Sequence, residues 1–404
     1  MNYLKAILPA MLFAMAACKQ KNNSTAYINA FKDPILYCKT VKQLNDVVLE
    51  NNFPPVIASR NYVYANIAAY ECMSAGDSSY NSLHNQIKHL PGMPKPATGV
   101  VVNYSLAALL SFTKVGNAVT FPEGSMMGYY DDLKNMADSL GMPEDVLKNT
   151  ITYSDSVVAT IILWSKKDNY AQTRTAEKFA IQSGDEGRWI PTPPMYASSM
   201  EPHWNEIRTM VLDSADECMA PAPPTFDVKN KNSIYYKAVI EVKNIGDSLT
   251  DEQKNIADFW DDNPFKLNVV GHASYATKKF SPPGHWMNIV GIAAKKAGAD
   301  FNTTVAAYTE TAIALFDGFI GCWNQKFHDN TIRPETVINK YFTDSWRPYI
   351  QTPPFPSYVS GHATISAAAA EVMTSWFGDN LSFNDTSQLE FGVKSRTIQS
   401  FREA

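Results

Sequence analysis

Apolar residues recur at steps of three and four through most of this chain. The clearest run places Tyr308, Ala312, Leu315, Phe316, Phe319 and Trp323 on one face, as in a helix that lays an apolar stripe against a core. The same periodicity predicts helices over residues 41–50, 62–74, 101–114, 126–140 and 144–164, and again over 233–245, 251–260, 285–296, 305–325 and 363–376. Thr250 to Gln253 read as a capping box for one of them, with the Thr hydroxyl and the Gln amide each serving an orphan backbone N–H. No comparable series of alternating strands is present, so the expected fold class is all-α, a helical bundle. Residues 183–231, rich in Pro, Gly and Ser, split the helices into two groups. Trp189 and Trp204 lie in this stretch, which is therefore expected to be an ordered loop folded over one domain.

The amino terminus departs from the pattern. Lys5 precedes an apolar run over 6–17, and Cys18 follows Met15, Ala16 and Ala17. A resident membrane helix takes about 20 apolar residues, so this shorter run reads as an export signal. The small residues before Cys18 and the polar KQKNNST after it resemble a bacterial lipoprotein signal. The expected organisation is a signal peptide at 1–17, a lipidated Cys18 with a tether to 27, and a single helical domain over 28–404. The protein is then exported and anchored in the periplasm or at the cell surface, touching membrane only through its lipid.

Charge narrows the possible partners. With 40 acidic against 35 basic side chains and a net charge of −5, no basic stripe offers a nucleic-acid surface. Any anion site must be local, built from a few placed cations. Cys38, Cys72, Cys218 and Cys322 show no C-x2-C spacing, which argues against zinc. An oxidising compartment leaves one or two disulfides open, while Cys322 beside the apolar stripe reads as a buried thiol. The adjacent carboxylates Asp131–Asp132 and Asp261–Asp262 read as solvated faces.

The candidate chemistry lies near the carboxyl end. Lys326 continues the apolar stripe, and a buried ammonium wants an anion. Arg333 is seven residues further on, roughly 10 Å along the axis if the helix continues. Pro353, Pro354 and Pro356 then keep the chain extended, and Ile365, Ala368, Ala369, Val372 and Trp376 resume helical spacing, so a helix starts near Ser360. Ser360 is a capping hydroxyl, Gly361 admits close approach, and the N–H groups of the helix start point at an oxyanion. His362 stands where a titrating imidazole would reach it. His328, His285 in PPGHW, and Tyr358 two residues before Ser360 are further candidates for the pocket lining, each with an ordinary structural role as the alternative.

These residues match K-x6-R-P and S-G-H, and the chain resembles the superfamily of vanadium-dependent haloperoxidases and type 2 phosphatidic acid phosphatases. RWIPTPPMYASSMEPHWNEIR at 188–208 and FSPPGHWMNIV at 280–290 are similar to stretches of its soluble bacterial haloperoxidase-like members. The resemblance implies a helical bundle in which Lys326, Arg333, Ser360 and Gly361 bind vanadate, or phosphate as a substrate group. It makes Lys326 the polariser of peroxide and His362 the acid–base. The implied activity is halide oxidation by hydrogen peroxide, with a halide or a small organic molecule as substrate. Hydrolysis of phosphate monoesters, or oxyanion binding without turnover, are the alternatives. The family's third signature, an Arg followed six residues later by the His that bonds vanadium, is not in this sequence; SRTIQSFR puts Arg402 at the His position. The resemblance places that covalent His beyond Ala404, so the chain is expected to lack its C-terminal end, to stop in mid-helix, and to be inactive as it stands.

Overall fold

The computed structural model describes residues 25–404 apart from 183, 265 and 271–272. The signal peptide, Cys18, His272 and most of the tether lie outside the described residues. Each of the helices expected from periodicity is present, and several begin earlier than their apolar stripe. Pro34–Glu50, Pro55–Ser74 and Pro282–Ala297 each open on proline, whose fixed φ suits the first turn although it adds nothing to the periodic signal. The Thr250 capping box is formed in both directions, at 3.2 and 2.9 Å. Ala26–Phe31, Tyr170–Thr173 and Pro334–Tyr341 are additional short helices.

Two small antiparallel hairpins complete the described structure. Lys266–Val270 pairs with Ala273–Thr277, and Phe383–Asp385 pairs with Arg396–Ile398. The second hairpin absorbs the start of SRTIQSFR. Residues 401–403 form a turn where a helix was expected.

Phe301–Asp329 is the axis of the bundle, packed by Pro55–Ser74, Gly361–Phe377 and Pro282–Ala297. It is long and apolar enough to cross a membrane, yet 78% of its most apolar window is buried inside the protein. All six residues of its predicted stripe are buried. The irregular segment packs onto this core: Trp189 and Trp204 are fully buried. Asp317 of the axial helix clamps it, accepting the N–H groups of Met210, Val211 and Leu212 at 2.7, 2.7 and 3.0 Å. At Gly284 the Pro282–Ala297 helix touches Pro34–Glu50 closely: the Gly284 carbonyl accepts from Asn45 at 3.0 Å, and an added Cβ would lie 2.5 Å from Asn45 Oδ1. Cys38, Cys72, Cys218 and Cys322 are free thiols, with Cys322 buried as expected.

Candidate oxyanion site

Lys326 and Arg333 do not share a helix. The axial helix ends at Asp329, and Asn330 takes a left-handed conformation (φ 48°) with its N–H on Lys326 O at 2.9 Å. Asn is among the few residues that tolerate this geometry. The chain turns, and Arg333, held extended by the following Pro334, becomes the N-cap position of Pro334–Tyr341. The helix ends near Lys326 as expected, and the two cations converge from two elements. Both sit over the ring of Phe355, at 4.9 and 4.8 Å from its centroid.

Lys326 is 1% exposed. Its ammonium donates to the carbonyls of Pro356 at 3.0 Å, Ser357 at 3.2 Å and Val359. Burial, reinforced by Arg333 and opposed by Cys322, brings the Lys326 pKa down to about 7. Arg333 donates from Nε to Phe355 O at 2.6 Å, while its buried Nη2 has no protein partner. Burial works against the Arg333 charge too, with Glu335 opposing, but a guanidinium stays protonated at working pH.

Gly361–Phe377 starts where the second motif predicts. Ser360 is its N-cap, and Ser360 Oγ accepts from Ala363 N at 3.2 Å, which leaves the hydroxyl proton free to donate. The N–H groups of Gly361 and His362 open the helix and have no acceptor within it. A Cβ at Gly361 would meet Trp323 at 3.8 Å and Lys326 Cε at 4.0 Å and nothing nearer. The His362 ring opens onto the cavity, and its surroundings desolvate it enough to lower its pKa despite the opposing pull of Asp262 and Asp261. Lys326, Arg333, Ser360, Gly361 and His362 all line one cavity of about 680 Å³. The five motif residues therefore come together.

The three further candidates do not line this cavity. His328 stands on the surface, its side chain 68% exposed and paired with Asp329 at 2.9 Å. Tyr358 turns away and donates to Pro221 O at 2.7 Å. His285 lies behind the wall, fully buried, and stacks on Trp260 at 4.9 Å between centroids.

What His285 holds is the feature the sequence reading missed. Asp261 and Asp262 are not a solvated face: they are 4% and 3% exposed and line the cavity. His285 reaches Asp262 Oδ2 from Nδ1 at 2.9 Å and Asp385 Oδ2 from Nε2 at 2.8 Å, and Gln388 donates to Asp262 at 2.7 Å. Burial opposes a charge on this ring, but the two carboxylates overcome it and raise the pKa to about 10. Lys279 Nζ stands 3.7 Å from Asp261. Each carboxylate of the wall thus has a basic side chain behind it, Lys279 for Asp261 and His285, shared with Asp385, for Asp262. A weak sequence signal was present, since Asp261–Asp262 directly follows Phe259 and Trp260, two residues that seek the interior.

Comparison with known proteins identifies relatives of the same fold. The family model described as the VCPO second helical-bundle domain matches residues 343–401. A solved structure described as the first bacterial vanadium-dependent iodoperoxidase is similar at a TM-score of 0.86 and 39% identity, over 92% of this chain and 87% of that one. The holo and apo forms of a bacterial vanadium-dependent chloroperoxidase are similar at 0.59 and 16% identity, over 87% of this chain and 84% and 86% of theirs, a likeness of fold alone. No curated protein sequence matches.

Proposed function

The chain belongs to the vanadium haloperoxidase superfamily, and we propose that its 680 Å³ cavity binds vanadate and serves the oxidation of halide by hydrogen peroxide. One observation carries this reading. Arg333 lines the cavity and its Nη2 is buried without a protein partner, and a buried guanidinium N–H left unpaired is costly until an acceptor is found. Lys326 supplies a second positive charge, Ser360 a hydroxyl proton, and the start of Gly361–Phe377 its N–H groups and dipole. A tetrahedral oxyanion fits this donor set. When bound, vanadate supplies the centre at which peroxide becomes an oxidant of halide.

The protein's own groups move protons and fix positions. His362 is biased toward its neutral form by desolvation, so near neutral pH its imidazole can accept and return a proton for a substrate held in the cavity. Lys326 and Arg333 offset the negative charge gathered in the cavity. Phe355, Trp260 and Pro353 give the cavity an apolar wall that limits water around the reacting groups. The export signal and Cys18 anchor, in the same proposal, place this chemistry outside the cytoplasm.

The test is oxidation of iodide and bromide by the full-length protein with hydrogen peroxide, with and without added vanadate, beside hydrolysis of a phosphate monoester. Vanadate-dependent halide oxidation is expected. Ester hydrolysis without halide oxidation would overturn the proposal.

A further inference from the structure

The cavity wall carries an oxidisable group that the halide chemistry does not use. Met195 is 52% exposed and lines the same cavity as Lys326, Arg333 and His362. It is not carried on a loose end. Tyr196 N donates to Thr192 O at 3.0 Å, closing a turn around Met195. The same loop is tied to the site, because Met200 N donates to Pro354 O at 2.9 Å and Trp323 Nε1 donates to Met200 O at 3.1 Å. The backbone that carries this thioether is therefore anchored at the wall of the cavity in which oxidised halogen is proposed to form.

We propose that Met195 is a site of turnover-dependent self-modification, its thioether being converted to the sulfoxide by hypohalous acid released in the cavity. The inference rests on the haloperoxidase reading above. A sulfur lone pair takes the halogen and hydroxide departs; water then adds to sulfur, halide leaves and two protons are lost. Overall, sulfur gives up two electrons, halogen gains them, and one oxygen is transferred. The sulfoxide is polar and chiral where the thioether was apolar, so the modification changes the character of the cavity wall.

Met219 provides an internal reference, since it is 38% exposed but does not line the cavity. The full-length protein is turned over with vanadate, hydrogen peroxide and bromide in the presence of excess free methionine, which captures hypohalous acid that reaches bulk solvent. Oxidation at Met195 and Met219 is read by peptide mass spectrometry, and bromophenol formation is followed in a parallel reaction without free methionine. Protein without vanadate, treated with reagent hypobromous acid, sets the bulk reactivity ratio of the two residues. The expected result is a Met195 to Met219 ratio several-fold above that bulk ratio, and dependent on both vanadate and halide. Halide oxidation with a ratio equal to the bulk value overturns the Met195 inference alone. Oxidation of Met195 by peroxide without halide overturns it as well, and absence of vanadate-dependent halide oxidation overturns both readings.

Discussion

Asp262 and His285 meet at 2.9 Å, carboxylate oxygen to ring nitrogen, where neither is open to bulk water. The far nitrogen of the ring is held at 2.8 Å by Asp385. A cation locked between two buried carboxylates contributes little by itself, but removing it leaves two uncompensated charges. His285→Gln is therefore expected to destabilise the fold by about 3–5 kcal/mol at neutral pH. The folded pKa of about 10 lies above the ordinary 6.5, so this contribution is whole below about pH 6.5 and is lost as pH rises through about 10. Denaturant unfolding of both proteins across that range checks it. A gap between them that does not narrow with pH would count against the buried imidazolium.

Lys326 works in the opposite sense. Its folded pKa of about 7 lies below the ordinary 10.5, so the unfolded chain binds the extra proton between those values and stability rises with pH there. The two slopes oppose each other over most of their windows. Lys326→Met should unmask the fall contributed by His285, whereas His285→Gln should unmask the rise contributed by Lys326. Unfolding curves with the same pH slope in both variants would contradict this assignment.

The same lysine should govern anion affinity. Lys326→Ala is expected to weaken vanadate binding by about tenfold to a hundredfold, since a hydrogen bond to a charged group is worth about 1.5–3 kcal/mol. Sulfate, whose own charge is constant near neutrality, should bind the parent protein less tightly as pH rises through about 7, with proton uptake on binding. Calorimetry in two buffers of different ionisation enthalpy measures both effects, and pH-independent sulfate affinity would refute the depressed lysine.

Gly361→Ala should separate folding from binding. The added methyl meets only ordinary van der Waals contacts at 3.8 and 4.0 Å, so stability should stay within about 0.5 kcal/mol. It projects toward Lys326 at the cavity, and vanadate affinity should drop several-fold. Equal affinity would remove Gly361 from the cradle.

Gly284→Ala should behave in reverse. There a methyl would stand 2.5 Å from Asn45 Oδ1 and 3.0 Å from the Tyr62 hydroxyl, and the helix carrying His285 must shift. A loss of about 1–3 kcal/mol is expected, as for overpacking elsewhere. Thermal unfolding indistinguishable from the parent would show that the contact yields easily.

The bundle and the convergence of the five motif residues on one cavity were legible because both are written locally, in a period of 3.6 and in two short motifs. What was not legible depends on contacts far apart in the chain. Asp262, His285 and Asp385 come from three segments, and no local pattern distinguishes a carboxylate awaiting a distant imidazole from one awaiting water. The helix end near Lys326 was legible to within a few residues, but the direction the chain takes beyond it was not, because a single left-handed Asn330 sets it. His328 and Tyr358 were near the motifs in sequence, but their side chains take other directions.

An ammonium has three protons, and the Lys326 ammonium already delivers three hydrogen bonds, to Pro356, Ser357 and Val359. The peptide segment leading into Ser360 thus acts as a resident counter-ligand. An arriving oxyanion either works with Lys326 through charge alone or displaces one of these carbonyls. In the second case filling the cavity is an exchange reaction, one acceptor out and another in. The position of the backbone before Ser360 then becomes a function of occupancy, and the hydroxyl, the N–H groups and the imidazole that follow it are set by the same event that neutralises the lysine.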